Sequence, residues 1–263
     1  MVLGKLLKFV NSLETLKITL NDKYWQEGLY DVQVVESLVS HIYFTYFTDS
    51  LRSLQLSLFH MTQIIAARIV RSLSQAPNLC SLNLSWNCLS YSGIKNLTEN
   101  LRHLKHLSHL TLRGVGIGHL ECQLLSTSLK YVGSLQVLDL SQNPLAHGIL
   151  ELSKHLNCIP RLHYLRLYDT DMGEREVTAV ARALKDIPEL ENLQLSDNPL
   201  GRGVGELIKH LKSVPRLGFL ELSSVKMTRK EASDFSTAVR GPLTDRGVFL
   251  LTDYHQVRVF PCN

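Results

Sequence analysis

The chain has 263 residues, of which 44% are hydrophobic and 20% charged, an ordinary globular composition with enough apolar side chains for one continuous core. Its net charge of +4 is mild, and because basic and acidic residues are mixed along the sequence there is no basic stripe to bind nucleic acid. No apolar run approaches the roughly 18 residues that cross a membrane, so we expect no membrane insertion.

The N-terminus and the cysteines bear on the cellular compartment. Residues 1–10 contain too short an apolar stretch, interrupted by Lys5 and Lys8, for a secretion signal, and are more typical of an amphipathic helix that starts the fold. The five cysteines are Cys80, Cys88, Cys122, Cys158 and Cys262. Their odd number and the lack of a C-x-x-C motif favour free thiols in a reducing compartment, so the sequence predicts a cytoplasmic protein.

A leucine motif recurs along most of the chain. Residues 79–89 read L-x-x-L-x-L-x-x-N-x-L, the signature of a leucine-rich repeat. From Leu51 onward the motif returns every 27 or 28 residues with leucine at all three core positions. The motifs begin at Leu13, Leu51, Leu79, Leu107, Leu135, Leu162, Leu190 and Leu217. Because L-x-L has the two-residue period of a strand, each motif predicts one strand with one buried face.

Between the motifs the hydrophobic period becomes that of a helix, as in Leu97, Leu101 and Leu104. Each unit therefore holds a strand and a helix, and consecutive strands must be parallel because a helix lies between them. Stacked units bury apolar faces that one unit could not bury alone. The predicted fold class is α/β, a leucine-rich repeat solenoid. We expect a right-handed βα horseshoe with helices outside and parallel strands on its concave face, the sheet face turned away from the helices.

Asparagine marks every second unit. Asn87, Asn143 and Asn198 occupy the asparagine position of alternate units, so the true repeat is a pair of units. We expect each side-chain amide to hydrogen-bond backbone groups of neighbouring turns, which would otherwise be buried without partners. The same units carry a glycine shortly afterwards, where we expect a turn with positive φ. These glycines are Gly93, Gly148 and Gly203.

Long units, N-x-L followed by glycine, and strict two-unit alternation resemble the ribonuclease-inhibitor subclass of leucine-rich repeats over roughly Leu51 to Ala232. Within that subclass, Asp197 to Ala232 is similar to the C-terminal repeat domain of NOD-like immune receptors. The resemblance implies a ligand-sensing and autoinhibitory domain, with an ATP-binding oligomerisation module upstream in a longer protein. A ribonuclease inhibitor proper, which is acidic and rich in cysteine, is disfavoured.

Both ends depart from the repeat. We predict a single repeat domain with an atypical N-terminal unit over 1–50, regular repeats over 51–240 and a C-terminal cap over 241–263. The aromatic-rich segment 22–50 is either an aromatic cap or a docking surface. Residues 229–240 should form the last helix. Residues 248–251 and 257–260 should form a hairpin that covers the edge of the final strand.

Motifs for chemistry are lacking. The alternating glycines of 201–205 fit neither G-x-G-x-x-G nor the P-loop, and they fall where the repeat turns. The histidines of 103–119 have no cysteine or carboxylate at the spacing of a zinc site. Asp169 and Asp197 could form a catalytic or metal-binding pair, but no positioned base or third ligand follows them. We therefore predict no enzyme activity, no catalytic or metal site and no cofactor.

Residues that flank the core leucines should point from the concave face. Aromatic side chains among Ser, Gln and Asn are typical of a protein-binding surface, although scattered aromatics also occur on ordinary surfaces. Neighbouring strands should place Asp139 beside Arg166, and Asp169 beside Asp197. The predicted partner-binding residues are Trp86, Arg113, Asp139, Tyr164, Arg166, Tyr168, Asp169, Asp197, Phe219 and Glu221.

The sequence thus favours a non-catalytic domain that recognises a protein partner or microbial ligand on its concave face, and no nucleic acid. The leading hypothesis is the sensing and autoinhibitory region of a NOD-like innate immune receptor. One alternative is a free-standing cytosolic leucine-rich repeat scaffold. Another is a GTPase-activating-type regulator, which would need an acidic rim that the sequence does not concentrate anywhere.

Overall fold

The structure, a computed structural model, describes residues 14–19, 50–57, 63–225 and 249–251. Within these residues nine strands form one parallel sheet in chain order. The strands are β1 (Thr15–Thr19), β2 (Ser53–Ser57), β3 (Ser81–Asn83), β4 (His109–Thr111), β5 (Val137–Asp139), β6 (Tyr164–Arg166), β7 (Asn192–Gln194), β8 (Phe219–Glu221) and β9 (Phe249–Leu251). The predicted helices over 1–10 and 229–240, and nearly all of segment 22–50, lie outside the described residues.

The strands are in register through the middle leucine of each motif. Leu110 pairs with Leu82 on one side and Leu138 on the other, and these side chains are fully buried. From β3 to β8 each strand has only three residues, so the flanking two point to the opposite face. β9 pairs with β8 in parallel and covers its edge, whereas the second strand of the predicted hairpin, over 257–260, lies outside the described residues.

A helix follows each described strand from β2 to β7. These helices are α1 (Gln63–Ser72), α2 (Tyr91–Asn100), α3 (His119–Ser128), α4 (Gly148–His155), α5 (Glu174–Ala183) and α6 (Gly203–His210). Each continues into a three-residue 3₁₀ turn that opens on a buried leucine, as at Leu101 and Leu184. The tighter turn ends the helix and starts the return loop.

One hydrophobic core runs through the described units, from Leu16 to Val225. Its layers repeat because each unit supplies the same leucines from strand, helix and return loop. Each unit packs on its neighbours, as expected for a solenoid. The predicted fold class, an α/β leucine-rich repeat solenoid with alternating strands and helices, is confirmed.

The regular spacing of asparagine along the chain has a direct cause in hydrogen bonding. The side chain of Asn143 is 1% exposed. Its Nδ2 lies 2.7–3.1 Å from three backbone carbonyl oxygens, and its Oδ1 lies 2.9–3.0 Å from three backbone N–H groups. The carbonyls belong to Leu112, Leu140 and Ser141, and the N–H groups to Val115, Gly116 and Ile117. We call this arrangement the asparagine clamp.

Each clamp joins its own unit to the preceding one. Asn198 repeats the arrangement, donating to the carbonyl of Leu167 at 2.7 Å and accepting from the N–H of Thr170 at 2.9 Å. Asn87 donates to the carbonyl of Leu56 at 2.7 Å. Because one asparagine serves the turns of two units, the preceding unit needs none. This accounts for the two-unit repeat.

The prediction that the glycines of the asparagine units are needed for a turn with positive φ was wrong. Gly93, Gly148 and Gly203 do not have positive φ. A Cβ on Gly148 would instead lie 2.6 Å from the Cβ of Cys122 in the preceding helix, and a Cβ on Gly203 would overlap Val177. The last two glycines therefore permit close packing of α3 on α4 and of α5 on α6. These are the helices of the unit pairs that the clamps of Asn143 and Asn198 join.

The clamp predicts a large effect of Asn143→Leu on stability. The variant leaves the N–H groups of the buried residues Val115 and Ile117 without their acceptor, at about 1–3 kcal/mol for each unpaired group, and that of the exposed Gly116 as well. We expect urea unfolding to show a loss of at least about 2 kcal/mol in the free energy of unfolding. Asn157→Leu, at an exposed position, is the matched control. A loss at Asn143 no larger than in this control would contradict the clamp.

Candidate partner-binding face

The ten predicted residues all belong to strands or to the turns that follow them. Tyr164 and Phe219 open β6 and β8, and Asp139, Arg166 and Glu221 close β5, β6 and β8. The turns contain Trp86, Arg113, Tyr168, Asp169 and Asp197. Because the core leucines point to the helices, these side chains lie on the concave face or at its edge.

Left-handed backbone recurs immediately beyond the strands. Two residues after the third core leucine, six successive units have φ between 53° and 62°. These residues are Trp86, Gly114, Gln142, Asp169, Asp197 and Ser224. The N–H groups of the first five donate to carbonyls of the next unit at 2.8–3.1 Å, which extends the backbone ladder past the strands. These bonds hold a conformation that side chains other than glycine seldom adopt.

Four side chains form a connected group on this face. The guanidinium carbon of Arg113 lies 5.0 Å from the ring centre of Trp86 and 4.8 Å from that of Tyr168, within cation–π range. Arg113 Nε donates to Oε1 of Gln142 at 2.6 Å, and the Tyr168 hydroxyl donates to the same oxygen at 2.8 Å. We call Trp86, Arg113, Gln142 and Tyr168 the arginine cluster.

Small residues make room for the arginine cluster. A Cβ on Gly114 would lie 2.7 Å from Cε3 and Cζ3 of Trp86, so the indole rests against the bare backbone of the next unit. Ser141 occupies the column position between Arg113 and Tyr168, and its short side chain is buried. Arg113 therefore reaches past one unit to the ring of Tyr168. The sequence columns did not reveal this contact or the part of Gln142 in it.

Asp139 is less accessible than a binding residue should be. The residue is 6% exposed, and its Oδ1 accepts the N–H of Ser141 at 3.0 Å. Its Oδ2 lies 3.8 Å from Nη1 of Arg166, whose guanidinium carbon lies 5.6 Å from the ring centre of Tyr164. Asp139 thus fixes the turn and pairs with Arg166, and the Arg166 side chain is the more accessible of the two.

The two candidate carboxylates of the turns are exposed and adjacent along the array. The N–H of Asp169 donates to the carbonyl of Ser196, the residue before Asp197, at 2.9 Å. Both aspartates are exposed. Among the described residues, no group of three His, Cys, Asp or Glu side chains is placed to hold a metal ion.

A shallow concavity of about 500 Å³ lies where β6, β7 and β8 begin. Its lining residues are Tyr164, Glu191, Asn192, Arg216, Gly218 and Phe219. Oδ1 of Asn192 is buried there and has no hydrogen-bond partner among the described residues. The sequence identified the two aromatic walls but not the asparagine between them.

The four aromatic residues of this face, Trp86, Tyr164, Tyr168 and Phe219, are half-buried rather than fully exposed. Guanidinium groups cover part of the rings of Trp86, Tyr168 and Tyr164. In the described part of the chain, the exposed large apolar side chains are on the helical side instead. They are Tyr91, Leu120 and Tyr131.

Several shifted pKa values have structural causes. Burial raises the pKa of the Cys122 thiol to about 12, so this cysteine is not a nucleophile at neutral pH. For Glu176 burial opposes ionisation, but hydrogen bonds from His147 and from the backbone outweigh it and lower the pKa. Burial lowers the pKa of His109 on β4. Cys122, Glu176 and His109 lie on three different elements, α3, α5 and β4.

Gly114→Ala tests the packing of the Trp86 indole against the backbone of Gly114, with Gly116→Ala as its control. Both glycines have positive φ, but a Cβ on Gly116 would meet nothing within 4 Å. We expect Gly116→Ala to lose about 1–2 kcal/mol of unfolding free energy from backbone strain alone. Gly114→Ala should lose more and shift the emission of Trp86, measured in a Trp25→Phe background. Equal losses and unchanged emission would contradict the contact.

Comparison with known proteins points to one group of relatives. No family model matches the chain. The chain is 35% identical over 174 residues to NACHT, LRR and PYD domains-containing protein 12 of Mus musculus, covering 63% of this chain and 16% of that protein. It is 30% identical over 197 residues to NACHT, LRR and PYD domains-containing protein 14 of Mus musculus, covering 72% of this chain and 20% of that protein. The chain therefore spans a fifth or less of the length of these relatives.

Among solved structures, the tropomodulin C-terminal domain of Caenorhabditis elegans matches with a TM-score of 0.47 and 16% identity, over 59% of this chain and 93% of that one. None of the described helices is long and apolar enough to cross a membrane. The homology to NACHT and LRR proteins supports a protein-interaction domain. The chain is a leucine-rich repeat protein that is homologous to NACHT, LRR and PYD domains-containing proteins and resembles the leucine-rich repeat domain of NOD-like immune receptors.

Proposed function

We propose that this chain is a non-catalytic recognition domain whose concave face binds a protein partner through the arginine cluster. We further propose that it is the sensing and autoinhibitory region of a cytoplasmic NOD-like innate immune receptor. The observation that carries the first proposal is the arginine cluster itself. The second adds the homology to NACHT, LRR and PYD domains-containing proteins.

The arginine cluster has the composition and rigidity of a binding hot spot. Trp, Tyr and Arg are the residues that most often dominate interface energies. Here Gln142 bridges Arg113 and Tyr168, and Gly114 seats Trp86. Side chains already held in place lose little conformational freedom when a partner binds, so more of the contact energy appears as affinity.

Charge on the concave face changes along the array. Arg113 follows β4, Arg166 and Asp169 share the unit of β6, and Asp197 and Glu221 belong to the units of β7 and β8, so the charge changes from positive near β4 to negative near β8. A partner with the opposite order of charges would be favoured, and its encounter would be steered in one orientation. Such polarity supports a specific partner over unselective adhesion.

The receptor role is tested by the length and behaviour of the endogenous protein. An antibody to this domain should detect a species far heavier than the 29.8 kDa of this chain. Removal of the repeat region from that species should promote its self-association if the region is autoinhibitory. A species near 29.8 kDa would reject the receptor role and favour the free-standing scaffold.

The concave face is tested by Tyr168→Ala. A photoreactive amino acid at Gln194 on this face, compared with one at Lys185 on the helical side, would identify the protein that contacts it. We expect Tyr168→Ala to weaken binding of that purified partner by at least about tenfold, the effect of a hot-spot residue. Arg166 is left unchanged because it is the ion partner of the buried Asp139.

Tyr131→Ala is the matched control, since Tyr131 is exposed on the helical side. It should leave affinity unchanged, and both variants should melt close to the unmodified protein. Equal affinity of the Tyr168 variant and the unmodified protein for the cross-linked partner would reject the arginine cluster as its binding site.

A further inference from the structure

We propose that the guanidinium of Arg113 binds a carboxylate of the partner, so that the concave face recognises an acidic side chain or a free C-terminus at the arginine cluster. The inference rests on the proposed function of this face as a protein-binding site. It adds the chemical class of the group that is recognised and the atoms that recognise it.

The hydrogen bonds of the cluster leave one edge of the guanidinium free. Arg113 has five N–H donors, of which Nε donates to Oε1 of Gln142. That oxygen has two lone pairs, and the second accepts the hydroxyl of Tyr168. Gln142 is therefore saturated as an acceptor. No other described residue accepts a hydrogen bond from Arg113 Nη1 or Nη2, so four N–H groups remain for a ligand.

The geometry of these free donors suits a carboxylate. A carboxylate can bind a guanidinium through Nε and one Nη or through both Nη atoms, with two parallel hydrogen bonds. Gln142 blocks the first mode because it already holds Nε. The second mode stays open on the edge formed by Nη1 and Nη2. The rings of Trp86 and Tyr168 hold the guanidinium in place, so the bound carboxylate would have a defined direction.

The charge of Arg113 lacks a counter-ion in the described part of the chain. Arg166 on the same face has Asp139 as its ion partner at 3.8 Å, but no carboxylate of a described residue lies within 4.0 Å of the Arg113 guanidinium nitrogens. A half-buried cation that lacks a counter-ion favours binding of an anion from another molecule. Phosphate groups are usually bound by clusters of arginines, and the single guanidinium of the arginine cluster therefore fits a monoanionic carboxylate better.

The probe is a pair of random twelve-residue peptide libraries, one with a blocked and one with a free C-terminus, selected on the full chain. Peptides that lose binding to Tyr168→Ala report on the arginine cluster. We expect these peptides to share an Asp or Glu in the first library, and a side-chain or terminal carboxylate in the second. The two libraries thereby distinguish the two sources of the carboxylate.

A double-mutant cycle then assigns the contact to Arg113. Replacing the shared acid by its amide should lower affinity for the unmodified chain by at least about tenfold, as for a buried charge-assisted pair. It should have little effect on Arg113→Gln, which has already lost the partner. Arg113→Lys should be intermediate, since it keeps the charge but not the two-bond geometry. Arg175→Gln on α5 is exposed and should match the unmodified chain.

The outcomes separate this inference from the proposed function. Peptides that depend on Tyr168 but contain no acid would overturn the carboxylate while leaving the concave face as a binding site. The carboxylate would also be overturned if replacing the peptide acid by its amide lowered affinity as much for the Arg113→Gln variant as for the unmodified chain. Tighter binding of a peptide in which phosphoserine replaces the acid would overturn it as well. If neither library yields a peptide that depends on Tyr168, the proposed site falls and the inference falls with it.

Discussion

The fold depends on how the buried backbone is satisfied where each strand ends. The turns after the strands lie inside the stack, where an unpaired N–H or carbonyl is unfavourable. Asn143 and Asn198 supply donors and acceptor from one side chain. The residues with left-handed backbone beyond the strands donate their N–H groups to carbonyl oxygens of the next unit. Every described turn therefore leaves its strand in the same way, and corresponding residues form straight columns.

Straight columns let residues far apart in sequence meet. Trp86 and Tyr168 belong to units separated by two others, yet both contact the guanidinium of Arg113. The contact needs small residues between the large ones, which Gly114 and Ser141 provide. The same regularity that buries the leucines thus also builds a rigid group on the opposite face. The buried leucines and the arginine cluster belong to the same units but lie on opposite faces of the sheet.

The fold could be predicted from the sequence because the positions that are buried in every unit are the positions occupied by leucine. The asparagines likewise mark the turns whose backbone groups they hydrogen-bond. The site was only partly predictable. Columns identify neighbours across strands, which placed Asp139 beside Arg166, but they do not show that Asp139 is buried. They also miss long side chains that reach beyond the next unit, so the bridge from Gln142 to Arg113 and Tyr168 was not seen. Glycine was ambiguous, because positive φ and close helix packing both require it.

The two arginines of the concave face show why residue type alone does not define a site. Arg166 is compensated by the buried carboxylate of Asp139, so its removal would leave an unpaired charge in the turn. Arg113 is held instead by two aromatic rings and one amide oxygen, none of which neutralises it. Its positive charge stabilises none of the described turns through an ion pair. A charge that is held rigidly but left uncompensated is more useful for binding another molecule than for holding this one together.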